Sequence, residues 1–167
     1  GRIIKVLMPV HILGFSAEID SLVNLAKSFN IKVVEDSAEG LGVRFRDKHV
    51  GTFGDLGILS FNGNKIITCG GGGIILTNDT SYANRAKYLT TQAKNDPIEF
   101  DHHEMGYNYR LTNVQAALGV AQLEQLGEFV DAKLKIAKNY EESLKTNPLM
   151  QPHLFARKHD QKALWKE

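Results

Sequence analysis

The residues predict an α/β fold, a mostly parallel sheet with one antiparallel strand. Three observations carry the prediction. A β-branched run, a stretch with helical spacing and a second β-branched run succeed one another over residues 3–36. That is the order of a βαβ unit, with parallel strands and a right-handed crossover. Two more apolar runs, residues 55–61 and 73–77, are joined by a glycine-rich connection too short for a helical crossover, so they lie antiparallel. Downstream of Arg110 the apolar residues recur at helical spacing.

Residues 3–10 are apolar, with Pro9 near their end, and read as a buried strand. His11-Ile12-Leu13-Gly14 is the loop after it. Ser16 then stands as an N-cap, and Ile19, Leu22, Val23, Ala26 and Phe29 mark a helix that stops at Asn30. Residues 31–36 form the second strand, and residues 43–45 and 48–50 a short hairpin across Arg46-Asp47. Residues 55–61 and 73–77 are the remaining main strands, and Gly70 to Gly73 permit backbone shapes closed to other residues. Asn78-Asp79 caps a helix over residues 80–89, and residues 91–101 are a polar loop. Thr112 or Asn113 caps a helix through Leu126, with Val114, Ala117, Leu118, Ala121 and Leu123 facing inward. A second helix over residues 129–144 carries the stripe Val130, Leu134, Ala137, Tyr140 and Leu144, and Asn147-Pro148 breaks it. Residues 151–167 hold one aromatic pair of note, Phe155 and Trp165, and no clear period.

The 167 residues are enough for one domain with a real core. Hydrophobic residues make up 43% and charged residues 23%, and the formal net charge is +1. No single-sign field therefore argues for nucleic acid or a membrane surface, and no apolar run has the length of a membrane span. The single cysteine, Cys69, has no intramolecular disulfide partner, which suits a reducing, cytoplasmic setting. It reads as a small buried filler. His102-His103-Glu104 reads as a polar loop rather than a metal site, because adjacent histidines point different ways and no second cluster has ligand spacing. The glycines after Lys65 lack the order of a nucleotide-binding P-loop, and no G-x-G-x-x-G opens a helix.

The chemistry gathers around Ser60-Phe61-Asn62-Gly63-Asn64-Lys65. A lysine at the mouth of a buried strand is costly to desolvate, so its amine can attack a carbonyl. Ser60 and nearby N–H groups could hold a phosphate. Ligands on parallel sheets collect at the carboxyl ends of the strands, where Asp36 also lies. A carboxylate for a heteroaromatic nitrogen, a lysine that forms an imine and a hydroxyl for a phosphate are the parts pyridoxal phosphate requires.

Four blocks carry a resemblance to a known family. They are Val34-Glu35-Asp36-Ser37-Ala38-Glu39-Gly40-Leu41-Gly42, then Gly51-Thr52-Phe53-Gly54-Asp55, then Ser60 to Thr68, then Gly106 to Ala117. In this order they resemble the DegT/DnrJ/EryC1/StrS sugar aminotransferases, pyridoxal phosphate enzymes of fold type I that act on nucleotide-linked keto sugars. The likeness runs from about Val6 to Leu144. Thr90-Thr91-Gln92-Ala93-Lys94 and Asn62-Gly63-Asn64 resemble the branch that aminates a UDP-linked 4-keto-6-deoxy N-acetylhexosamine, feeding bacillosamine- and legionaminic-acid-type sugars.

The resemblance implies helices on both faces of the sheet, the four main strands side by side, glutamate as amino donor and a homodimer. It implies Lys65 as the imine-forming lysine, Asp36 on the pyridine nitrogen and Ser60 on the phosphate. Asn108 matches an asparagine that reaches the neighbouring subunit's cofactor. Glu39 stands where many members have glutamine near the cofactor's phenolic oxygen. A carboxylate there opposes a phenolate unless it is protonated or turned away. Relatives that dehydrate have histidine in place of the lysine, so Lys65 argues for amination. Members of the family are about twice as long as this chain. The expectation is an incomplete cofactor-binding large domain over residues 1–146 and the start of a connection to a small domain over residues 147–167. Such a piece should retain the cofactor weakly and not turn over by itself. The alternative reading is a non-catalytic α/β scaffold or dimerisation module working through the helices after Arg110.

Overall fold

The computed structural model describes residues 1–96, 98–99, 101–146 and 161–162. Its main sheet has four strands in the order β1 (Val6–Leu7), β2 (Lys32–Asp36), β5 (Leu56–Ser60), β6 (Gly73–Leu76). β1, β2 and β5 are parallel and β6 is antiparallel to β5, as the run lengths and connections predict. A hairpin, β3 (Arg44–Phe45) and β4 (Lys48–His49), turns through Arg46 and Asp47, both at positive φ. β7 (Gln161–Lys162), which the sequence does not announce, pairs antiparallel with β3. Phe155 and Trp165 lie outside the described residues.

Helix α1 (Ile19–Ser28) crosses from β1 to β2. It presents Ile19, Val23 and Ala26 to Val33 of β2 and to Val43, Phe45 and Val50 of the hairpin, which together make the core. Each fully buried aliphatic or aromatic side chain there contributes about 1.5–3 kcal/mol. Arg46 Nη1 donates to Asp20 Oδ2 at 2.5 Å and ties the hairpin to the helix. The helix starts later than Ser16 suggests, because the Ser16 hydroxyl donates to the Ala17 carbonyl instead of capping. Asn30 ends it at φ 52. Phe29 is exposed, one step past the buried stripe.

Asp79 caps α2 (Thr80–Thr90) by accepting from the N–H groups of Ser81 and Tyr82. Thr112 caps α3 (Asn113–Leu123) in a capping box with Gln115, and α4 (Leu126–Leu144) follows at once. α3 docks on the chain after β5. The Gln122 carboxamide accepts from Thr68 N–H at 3.0 Å and donates to Thr68 O at 2.7 Å. A Cβ on Gly119 would sit 2.7 Å from Cys69 Sγ, so only glycine lets the helix this close to the buried thiol.

Two expectations about burial need correction. Residues 3–10 are not a buried strand: only Val6–Leu7 pair as β1, with a bridge from Val10 to Asp36, and Ile4, Val6 and Met8 are exposed. The inward assignment of α3 fails too. Val114 is 80% exposed, Leu118 and Leu123 are about half exposed, and α3 has no buried residue among those described. Helical or strand spacing identifies an apolar face, but burial needs a second surface, and among the described residues none covers these two.

Candidate active site

β2 and β5 are adjacent and parallel, with Asp36 in register with Ile58. Side chains alternate along a strand, so Asp36, Ile58 and Ser60 share one face of the sheet while Val33 and Glu35 share the other. The two candidate strand-end residues therefore belong to the same side of the same rim. The Asp36 carboxylate accepts from Ala38 N–H at 3.1 Å.

A cavity of about 270 Å³ opens beyond this rim, walled by Leu13, Gly14, Ala38, Glu39, Leu41, Ser60, Asn64, Lys65, Ile66 and Lys133. Lys65 reaches it from a turn closed by its own N–H on Asn62 O at 3.1 Å. The turn is anchored on both sides, by Phe61 N–H on Gly72 O and by the Gln122 carboxamide on Thr68. The Lys65 side chain is only 18% exposed. Its Nζ lies 3.5 Å from Glu39 Oε1, an ion pair inside the cavity wall. The other oxygen of Glu39 accepts from Leu13 N–H at 2.6 Å. Glu39 is thus turned toward the amine, not away from it. The Ser60 hydroxyl accepts from Asn62 N–H at 3.4 Å, a long contact.

The structure brings Ser60, Glu39 and Lys65 into one cavity and sets Asp36 on the rim beside it. Asp36 and Asn108 are not among the cavity walls. Asn108 is exposed, bridged by its backbone to Thr91 and flanked by the stacked rings of Tyr107 and Tyr109, whose centroids are 5.0 Å apart. His102 bonds the Gln92 carbonyl, His103 pairs with Asp101 and Glu104 pairs with Arg85. No metal-binding cluster occurs among the described residues.

One functional feature went unread in the sequence. Glu35 is fully buried, and its carboxylate accepts from Gly51 N–H at 2.8 Å, from Phe53 and Gly54 N–H at 2.6 Å each, and from His11 Nε2 at 3.1 Å. Burial pushes the carboxyl pKa up, but the bonds from His11 and the three peptide groups outweigh it, and the group is held below the ordinary glutamate value. His11 is equally buried and takes Ala17 N–H on Nδ1 at 3.1 Å. Its proton therefore sits on Nε2, aimed at Glu35. The signal was available: Glu35 shares its strand face with Val33, an apolar residue that is also buried, so a carboxylate there had to be interior.

Fold and site together define an α/β protein whose candidate site groups gather at the carboxyl rim of a mostly parallel sheet. Over residues 2–167 the chain matches the model of the DegT/DnrJ/EryC1/StrS aminotransferase family, and it belongs to that family. It is 43% identical over 149 residues to the GDP-perosamine synthase of Escherichia coli O157:H7, covering 89% of this chain and 40% of that protein. It is 35% identical over 136 residues to the UDP-4-amino-4,6-dideoxy-N-acetyl-beta-L-altrosamine transaminase of Campylobacter jejuni, covering 80% and 36%. Among solved structures it resembles DesV of S. venezuelae in complex with a ketimine intermediate, with a TM-score of 0.85 and 29% identity over 96% of this chain and 43% of that one. The chain spans about two fifths of the length of the curated relatives it matches.

Proposed function

We propose that the protein is a pyridoxal phosphate-dependent aminotransferase that moves an amino group from glutamate to a nucleotide-linked 4-keto-6-deoxy sugar in the cytoplasm. The observation that carries the reading is the half-buried Lys65 amine sharing one cavity with Ser60, beside Asp36 at the end of the adjacent parallel strand. The donor set suits the cofactor: an amine for its carbonyl, a hydroxyl for its phosphate and, on the rim beside them, a carboxylate for its ring nitrogen. When bound, the cofactor supplies a sink for the electrons of a carbanion. Lys65 would hold it and carry the proton, Ser60 would take a phosphate oxygen, and Asp36 would keep the ring nitrogen protonated. The ketimine in DesV fits the same chemistry in that relative.

Both curated relatives carry a nucleotide-linked sugar in their names. The Campylobacter jejuni protein's 4-amino-4,6-dideoxy-N-acetyl sugar supports the UDP-linked N-acetylhexosamine branch, and the higher identity to the GDP-perosamine synthase supports a GDP-linked sugar. The working form is a homodimer. The uncovered apolar face of α3 and the exposed Asn108 between stacked tyrosines support it, since an asparagine off its own cavity is free to serve a neighbour's. In the 167 residues by themselves, with these cavity walls alone, cofactor retention is weak and turnover absent.

Titrating the protein with pyridoxal phosphate and scanning for an imine absorbance band tests the reading. The band should form, weakly in the 167-residue chain and fully in a protein of the relatives' length, and Lys65→Ala should abolish it in both. An identical band in the Lys65→Ala protein would end the assignment. Offering UDP-linked and GDP-linked 4-keto-6-deoxy sugars to the longer protein assigns the substrate branch.

A further inference from the structure

The turn that walls the cavity opposite Lys65 is strained. Leu13 has φ 53 and ψ 33 inside the short 3₁₀ turn Ile12–Gly14, a left-handed conformation that leucine disfavours. Such a residue persists only where its surroundings hold it. Two backbone bonds hold it, Phe15 N–H to Ile12 O and His11 N–H to Asp36 O at 2.9 Å each, and one side chain joins them. The His11 ring accepts from Ala17 N–H on the far side of the turn, and on its other nitrogen donates to Glu35. The ring therefore closes the segment from residue 11 to residue 17 and fastens it to the sheet. Glu35 is itself fixed by the N–H groups of Gly51, Phe53 and Gly54. The strained turn in exchange presents Leu13 N–H to Glu39, whose other oxygen faces Lys65 Nζ.

We propose that His11 and Glu35 are a positioning pair: by bracketing the Leu13 turn they hold Leu13 N–H on Glu39 and so hold Glu39 beside Lys65. Neither residue lines the cavity, and neither touches the reacting groups. Their effect reaches the amine through the backbone of the turn and the Glu39 carboxylate. Lys133 of α4 and Asp36 of β2 are the other charged groups around this space, and Lys133 is the alternative partner that a released Glu39 could take. That the pair serves catalysis rests on the reading of Lys65 as the reactive amine; the relay of position does not.

A zero-length carbodiimide cross-link between Glu39 and Lys65, mapped by peptide mass spectrometry in the cofactor-free chain, reads the relay directly. The parent protein should give the Glu39–Lys65 product, and Glu39→Gln should not. His11→Ala should lower its yield about threefold or more, the loss expected for one hydrogen-bonded contact, in protein whose circular dichroism matches the parent. His11→Gln, which keeps a donor in reach of Glu35, should recover most of it. If His11→Ala does not fold, His11→Asn carries the test, since it can keep the Ala17 bond but is too short for Glu35. A parent-like yield in folded His11→Ala or His11→Asn would overturn the proposal. The imine band with added pyridoxal phosphate, measured on the same samples, separates this outcome from failure of the Lys65 assignment.

Discussion

Glu35 and Glu39 are the same side chain a few positions apart, and the fold puts them to opposite uses. Glu35 points into the protein, meets four donors and no solvent. Glu39 points to the rim, is part exposed, and shares its two oxygens between one peptide N–H and a lysine. The two have the same strand parity, and the difference is the turn after β2: the chain leaves the sheet at Asp36 and bends through Ala38 and Glu39, closed by Gly40 N–H on Ser37 O at 2.8 Å. The lesson is that charge in this molecule is divided between a saturated interior node that organises backbone and an open pair that faces a cavity.

The sharpest way to break the contrast is to delete each charge. Glu35→Ala leaves three peptide donors and a histidine buried without an acceptor and should cost about 3–5 kcal/mol, read from urea unfolding. Lys65→Ala removes one member of a part-exposed pair and should cost less than about 1 kcal/mol, while abolishing the imine proposed above. Equal losses would show that the rim is as structural as the interior.

Acid sharpens it further. Glu35 is held below its ordinary pKa of 4.5, so its contribution is present above that value and lost as pH falls through the lowered folded value. His49 is held below its ordinary 6.5, chiefly by burial, with Val50 O on one ring nitrogen and Gly42 N–H on the other. The unfolded chain takes up that proton first, so stability also falls as pH drops below 6.5 toward the lowered folded value. Urea midpoints should decline in two stages on acidification, and His49→Gln should remove the upper one. Midpoints that do not change with acid would contradict both assignments. The smallest effect belongs to Ser37, whose buried hydroxyl has no hydrogen-bond partner among the described residues. Ser37→Ala should change stability by less than about 0.5 kcal/mol or raise it slightly. A loss well beyond that would reveal a bond to Ser37 that the interior depends on.

Much of this was legible in the residues. The runs that became β2, β5 and β6 are apolar and bounded by turn residues, and a short connection leaves only an antiparallel return. Lys65, Ser60 and Asp36 could be placed on one rim because parallel topology fixes where strand ends go. What the sequence hid was of two kinds. Burial of the β1 and α3 faces depends on what lies against them, which spacing does not encode. The His11–Glu35 contact joins residues far apart in the chain through a turn whose left-handed leucine no propensity would suggest. β7 was hidden for the same reason, since two residues pairing at a distance carry no period.

Cys69 sits beneath Gly119 with its sulfur shielded by a helix that itself grips the lysine-bearing turn through Gln122. Its reactivity should therefore follow that helix: an oxidant or alkylating reagent should meet the thiol faster when α3 lifts away. The lone sulfur becomes a clock for the seating of the very segment that presents the amine.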